Sequence, residues 1–415
     1  MAQYERNQRV FVYPFTRQPD GDEVVVGRVD TATYLALPPE AVELLDLLAA
    51  GYTVGDAQDA FAARHGEVPD MEDFLGLLET HRLAAAEDHG ATLAMEAAAV
   101  APTVGGAVQY HFTRIPTWLA QAIFGKVSLV SCALVVALGL AAIALDPSLF
   151  PTRSTMIFPR HSGLMLLTLA SLSYVSIFLH EMAHVLAARS VGVPSRLGIG
   201  HRLWVVVIEA DLTALWSVPR GQRYLPFLAG PIVDSVSGAV LVLLLAGEKH
   251  GLWAFAPTAY ALIRAMTFVY LMAVSWQFFF FVRTDLYYVI AAHFSCKNLL
   301  RDAEAFLRNQ LARLFPRVLC TDQSQIPFAE RRVICGYAAV WLLGRIAAFS
   351  FLFLVTIPLL AEYLRAVYMA LSAGFAGRPY PFLNAVITGL LLVVPLVVGF
   401  YLWTSSLVRT WRHSP

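Results

Sequence analysis

The sequence predicts an all-α polytopic membrane protein of about six transmembrane helices, with a small α+β winged-helix-like cytosolic domain at its N terminus. Three observations lead there. The 415-residue chain is 58% hydrophobic and only 14% charged, with a mean hydropathy of +0.60, outside the range of ordinary globular domains. Its apolar residues gather in runs of about 20 or more, the length that crosses a bilayer. Its formal net charge of zero divides unevenly: residues 1–115 hold 18 acidic and 7 basic side chains, and residues 116–415 hold 12 and 23. The two parts are therefore built for different surroundings.

Residues 1–85 are expected to form the small domain. "RVFVYPF", the turn cluster "QPDGDE", "VVVGRVD" and "TYLAL" read as strands opening with a hairpin. Three short helices follow. "PPEAVELLDLLAAG" starts on prolines and ends on glycine, "TVGDAQDAFAARHG" begins with a capping-box-like pair, Thr53 and Asp56, and "DMEDFLGLLETHRLA" completes the set. Residues 86–116, rich in Ala, Gly and Thr, read as a linker or weak helix leading to the membrane. The first long apolar run starts near Val127, so no signal peptide is expected ahead of the domain, which should stay in the cytosol.

Residues 117–415 are expected to be the membrane-embedded part. Runs at about 127–145, 163–188, 224–246, 265–292, 335–361 and 383–406 meet the length criterion. Five arginines between the second and third runs, and seven Lys or Arg between the fourth and fifth, place those loops and both termini in the cytosol. The stretch from Gly251 to His293 is too long for one straight span, so part of it, about 252–263, is expected to be interfacial or a broken helix. Cys132, Cys296, Cys320 and Cys335 contain no C-x-x-C pair and suggest reduced thiols rather than a disulfide framework or a zinc knuckle.

The chemistry gathers at the end of the second run, in "SIFLHEMAHVLAARSVGVPS". His180, Glu181 and His184 form H-E-x-x-H, and on a helix the four-residue spacing puts both imidazoles on one face, where they can share a zinc ion. Glu181 beside them is a candidate general base for water. A membrane histidine can simply bond a neighbouring helix, but three ionisable groups clustered in a span are costly without a partner.

Catalytic zinc takes three protein ligands, so a third donor is needed at matching depth. Asp285, near the cytosolic end of the fourth run in "WQFFFFVRTDLYYVIAAH", is the expected one. Arg283 could instead neutralise it as part of a helix-end cluster. Asp234, in "LAGPIVDSVSG" of the third run, could be a ligand, a group bonded behind a ligand, or one that orients substrate. H-x-x-x-H also occurs in membrane di-iron oxygenases, but those draw on many histidines and no H-x-x-H-H cluster is present.

On these motifs the chain resembles the site-2 protease type of intramembrane zinc metallopeptidase. "FLHEMAHVLAARSVGVP" is similar to that family's H-E-x-x-H helix and following turn, and "LAGPIVDSV" to its A-G-P element, where many members carry asparagine in place of Asp234. "FFFFVRTDLYYV" resembles the third-ligand segment, without its N-P and final glycine. It is closest to the T-D-x-Y-Y version in peptide zinc metallopeptidases of bacterial peptide-maturation clusters. The resemblance covers residues 163–293. It implies a bacterial inner-membrane zinc endopeptidase with His180, His184 and Asp285 as ligands and Glu181 as base, and it leaves the oxyanion-stabilising asparagine unassigned.

Between these motifs, "LWVVVIEADLTALWSVPRGQRY" carries Asp211, Thr213 and Trp216. It reads either as a loop packed on the helical bundle or as a sheet edge that holds an extended peptide before cleavage. The excess of acids in the N-terminal domain would repel a phosphate backbone and argues against nucleic acid as a partner. "YLALPPEAVELLDLLAAGYTVGDAQDAFAARHG" resembles the PqqD-like fold, which recognises leader peptides of ribosomally made, modified peptides. That resemblance implies a leader adding as a strand beside the hairpin of residues 9–29; a structural cap is the competing reading. The expected activity is hydrolysis of a peptide bond in a membrane-associated or leader-bearing substrate, in contact with lipid. The alternatives are regulated cleavage of a membrane-anchored signalling factor and a non-catalytic peptide-binding or export partner.

Overall fold

The computed structural model describes residues 4–86, 112, 114–158, 161–202, 205–296, 298–315, 320–323, 326, 328–375 and 379–412. The chain divides into two compact units. One consists of Met1–Thr117, Val191–Arg196 and Asp211–Tyr224, the other of Trp118–Ser190, Leu197–Ala210 and Leu225–Pro415.

In the first unit, β1 (Val10–Val12) pairs antiparallel with β5 (Ala84–Ala86), and β2 (Thr16–Asp20), β3 (Glu23–Arg28) and β4 (Thr33–Leu37) form an antiparallel meander. Helices α1 (Pro39–Ala49), α2 (Val54–His65) and α3 (Met71–Thr80) fall where the sequence places them. Their ends follow from local chemistry. Pro39 opens α1, the Thr53 hydroxyl accepts from the Asp56 amide at 3.1 Å, and the Asp70 carboxylate accepts from the amides of Glu72 and Asp73. Gly66 closes α2 in the left-handed conformation, at φ 74°. The buried faces meet in one core that includes Val26, Leu44, Leu45, Leu75, Leu78 and Leu83. Emptying one such site, as in Leu45→Ala, costs roughly 2–5 kcal/mol.

The run Val24–Val26 is apolar without alternation because both faces of the sheet are covered. The second cover is the 3-10 turn Thr213–Ser217, which touches β2, β3 and β4 and buries Leu215 completely. Asp20 at the end of β2 is bound by Arg223 at 2.8 Å and by Arg220 at 3.0 Å, and the Arg223 side chain is fully buried. The stretch Asp211–Tyr224 thus belongs to the N-terminal unit, whereas the sequence offered a loop on the helical bundle or a sheet edge for an extended peptide. The linker expected at 86–116 lies almost wholly outside the described residues.

The second unit is helical: α4 (Thr117–Ile123), α5 (Lys126–Leu145), α6 (Ser162–Ser190), α7 (Arg220–Lys249, shared with the first unit at its start), α8 (Pro257–Trp276), α9 (Asp285–Phe294), α10 (Leu299–Leu314), α11 (Phe328–Phe351), α12 (Ile357–Ser372) and α13 (Pro379–Arg412). A two-stranded sheet, β6 (Arg196–Arg202) with β7 (Val205–Asp211), follows α6. Among the described residues five segments are long and apolar enough to cross a membrane: Thr117–Leu145, Ser162–Ser190, Arg220–Lys249, Pro257–Trp276 and Glu330–Ser372. The sixth expected run falls in α13, whose apolar stretch Pro379–Pro395 is shorter. The fourth run differs from expectation in another way. Its helix starts at Pro257, within the stretch 252–263 expected to be interfacial or broken, and a further break comes at 277–284, inside the expected span.

Small and polar side chains let these helices approach. Gly139 of α5 lies against Ala239 of α7, where a methyl group would meet the alanine Cβ at 2.8 Å. Ser176 of α6 bonds Tyr270 of α8 at 2.8 Å, and the start of α6 is tied to α13 through Asn384 and Thr388. Large apolar side chains on the outer faces, such as Val127, Leu164, Tyr174 and Leu179, stay exposed. All four cysteines are free.

Candidate metal centre

Three elements of the helical unit bring the site together. Helix α6 carries His180, Glu181 and His184 one turn apart, α7 carries Asp234, and α9 begins with Asp285. The donor atoms form a small triangle. His180 Nε2 lies 3.2 Å from His184 Nε2 and 3.2 Å from Asp285 Oδ2, and His184 Nε2 lies 3.5 Å from Asp285 Oδ1. Ligand atoms about 2.0–2.1 Å from one tetrahedral ion are separated by about 3.3 Å, so the triangle has the right size for a shared ion.

The hydrogen bonds behind the rings decide which nitrogens are available. His180 Nδ1 is 2.7 Å from Asp234 Oδ2, and His184 Nδ1 is 2.7 Å from the Pro226 carbonyl. Each partner is an acceptor, so each neutral ring donates its Nδ1 proton there and keeps a lone pair on Nε2. Two nitrogen lone pairs and a carboxylate then converge, an arrangement that a cation relieves. His184 is 2% and Asp234 4% exposed, so water does little to offset that repulsion.

Gly230 completes the cradle. A methyl group on it would sit 2.4 Å from His180 Nε2 and 2.5 Å from His184 Nε2, so only glycine leaves the space between the two nitrogens open. Pro226 and Pro231 flank this turn of α7 and remove two donors from its backbone ladder. His180, His184 and Asp285 are thereby a group that could hold a metal ion.

Asp234 is placed behind His180 rather than among the converging donors. Its bond to Nδ1 fixes the tautomer and plane of the His180 ring, as carboxylates behind metal-binding imidazoles commonly do. Glu181 follows His180 on the same helix, and its Oε2 accepts from the Ala210 amide at 2.7 Å, at the end of β7. Asp285 is bonded to the two histidines and to Gln277; the alternative partner Arg283 is not among its contacts in the described residues.

Asp211, Thr213 and Trp216 belong to the other unit and are occupied locally. The Asp211 carboxylate accepts from Arg196 Nε at 2.8 Å and from the Thr213 hydroxyl at 2.6 Å. The Trp216 ring lies under the Arg223 guanidinium at 4.8 Å.

Two contributors escaped the sequence. The Pro226 carbonyl carries no side-chain signal. Gln277 does, because a lone amide in the apolar run "SWQFFFFV" must find a partner once buried. No family model, curated protein or solved structure matches the chain.

Proposed function

We propose that the chain is an intramembrane zinc endopeptidase of the site-2 protease type, acting on a membrane-associated or leader-bearing peptide. The observation that carries this reading is the convergence of His180 Nε2, His184 Nε2 and Asp285 beside Glu181. Two imidazoles and one carboxylate are a ligand set used by catalytic zinc. The membrane setting rests on the five long apolar helices and their exposed apolar faces. On this reading the chain sits in the bacterial inner membrane, and the distribution of Lys and Arg supports cytosolic termini.

Zinc, when bound, supplies a Lewis acid and an acidified water. The chain's own groups do the rest. His180 and His184 are held as Nε2 donors by Asp234 and Pro226. Glu181 takes one proton from the attacking water and returns it to the departing amine. Strand β7, whose Ala210 amide already bonds Glu181, is suited to hold an extended substrate as an added strand, because peptide bonds must leave a helix before they can be attacked.

The acidic N-terminal unit, with its strand meander and three short helices, is suited to bind a leader peptide at an outer strand. On this reading the enzyme acts in maturation of a ribosomally made peptide. The test is metal content. Purified wild-type protein should hold one zinc per chain, and His184→Ala and Asp285→Ala should hold none at the same concentration. Equal zinc in all three would remove the basis of the reading.

A further inference from the structure

The segment between α8 and α9 is a closed loop with one purpose-built side chain at its base. Gln277, the first residue after α8, is 5% exposed although it carries a polar amide. Both ends of that amide are spent on one residue. Gln277 Oε1 accepts from the Asp285 backbone amide at 3.1 Å, and Gln277 Nε2 donates to Asp285 Oδ2 at 2.9 Å. The orientation is dictated by chemistry, since the reverse would face donor to donor and oxygen to carboxylate.

A third bond closes the loop. The Thr284 hydroxyl donates to the Gln277 carbonyl at 3.0 Å and accepts from the Tyr287 amide at 3.3 Å, capping α9. Backbone turns from Phe278 to Thr284 fill the interval. Asp285 thus starts a helix with its backbone and its carboxylate both fastened to the end of the preceding one. An unfastened aspartate would sample several rotamers. Here Oδ2 is kept 3.2 Å from His180 Nε2.

We propose that Gln277 is a positioning residue that presents the Asp285 carboxylate to the metal. This rests on the metal reading of the site and adds to it the group that fixes the third ligand. Removing a hydrogen-bonding group of this kind behind a ligand typically weakens metal affinity by about 10- to 100-fold.

The experiment measures zinc affinity by competition with a chromogenic chelator, and the visible spectrum of the cobalt(II)-loaded protein, on full-length protein in detergent. Gln277→Met keeps the volume and loses both bonds. Thr284→Val removes the hydroxyl that closes the loop and caps α9, and leaves the Gln277 amide on Asp285 in place. The expected result is affinity about 10- to 100-fold weaker in Gln277→Met, with an altered cobalt spectrum, and a clearly smaller loss in Thr284→Val. Gln277→Asn, one methylene shorter, reaches one end of Asp285 at most and should fall between; it also decides the matter if Gln277→Met does not fold.

Equal affinity in Gln277→Met, or in Gln277→Asn, and wild type would overturn the proposal. So would an equal loss in Thr284→Val, which would mean that loop closure alone matters. If wild-type protein binds no metal, the metal reading itself fails, and this inference with it.

Discussion

Gly230→Ala probes the metal centre without touching a ligand. The added methyl would lie 2.4 Å from His180 Nε2, 2.5 Å from His184 Nε2 and 2.6 Å from His180 Cε1, distances that non-bonded carbon and nitrogen do not tolerate. Something must move, and the imidazoles are the freest of the crowded groups. Displacing His180 breaks its charge-assisted bond to Asp234, worth about 1.5–3 kcal/mol, and displacing His184 breaks its bond to the Pro226 carbonyl, worth about 0.5–1.5 kcal/mol. Together these oppose metal binding by about 2–4.5 kcal/mol, or roughly 30- to 1,500-fold at about 1.4 kcal/mol per factor of ten. The loss would be larger still if an ion sits between the two nitrogens, where the methyl would lie. The assay is zinc titration of purified protein, with Gly221→Ala as control: it is on the same helix, and a methyl there meets nothing within 4 Å. Unchanged affinity in Gly230→Ala would refute the placement of the ion between the two nitrogens.

Other outcomes follow from the same contacts. Asp234→Leu should weaken zinc affinity by about 10- to 100-fold without abolishing it, whereas Asp285→Ala should abolish stoichiometric binding; the opposite ranking would exchange their roles. Asp20→Ala leaves the buried Arg223 guanidinium without its carboxylate and should destabilise the N-terminal unit by about 3–5 kcal/mol, seen as an earlier thermal transition. The pH dependence has a definite sign. Burial raises the Asp20 carboxyl, but bonds from Arg223 and Arg220 outweigh it and hold the group below the usual aspartate range. Its contribution is therefore complete above the unfolded value of about 3.9 and is lost as pH falls through the lower folded value. Wild-type protein should lose stability below about pH 4 more steeply than Asp20→Ala, and equal slopes in acid denaturation would contradict this.

Much of this was legible because it is local. Thr53, Asp70 and Gly66 announce helix ends by their own hydrogen-bonding and backbone preferences, so α2 and α3 fall where the sequence puts them. His180, Glu181 and His184 sit in register on one helix, and their spacing alone carries the chemistry. Asp285 was reachable by matching depth. The failures have a common cause in tertiary partners. "WQFFFFVRTD" has no glycine or proline to mark a break, and the chain leaves the helix there because Gln277 and Thr284 find Asp285 and the Gln277 carbonyl. Strand β5 is three alanines, strand only by virtue of β1 beside it. The turn Thr213–Ser217 reads as an ordinary loop, and nothing in its residues foretells that it covers the N-terminal sheet.

The central claim is that Glu181 is the base of a metal-dependent peptidase, and one comparison addresses it without knowledge of the substrate. Membranes expressing wild-type protein and Glu181→Gln are compared for newly formed peptide N termini by mass spectrometry, with zinc content measured on the same preparations. Equal zinc in both is expected, with a set of N termini that only the wild-type protein produces. The same N termini in both preparations, at equal zinc, would contradict it.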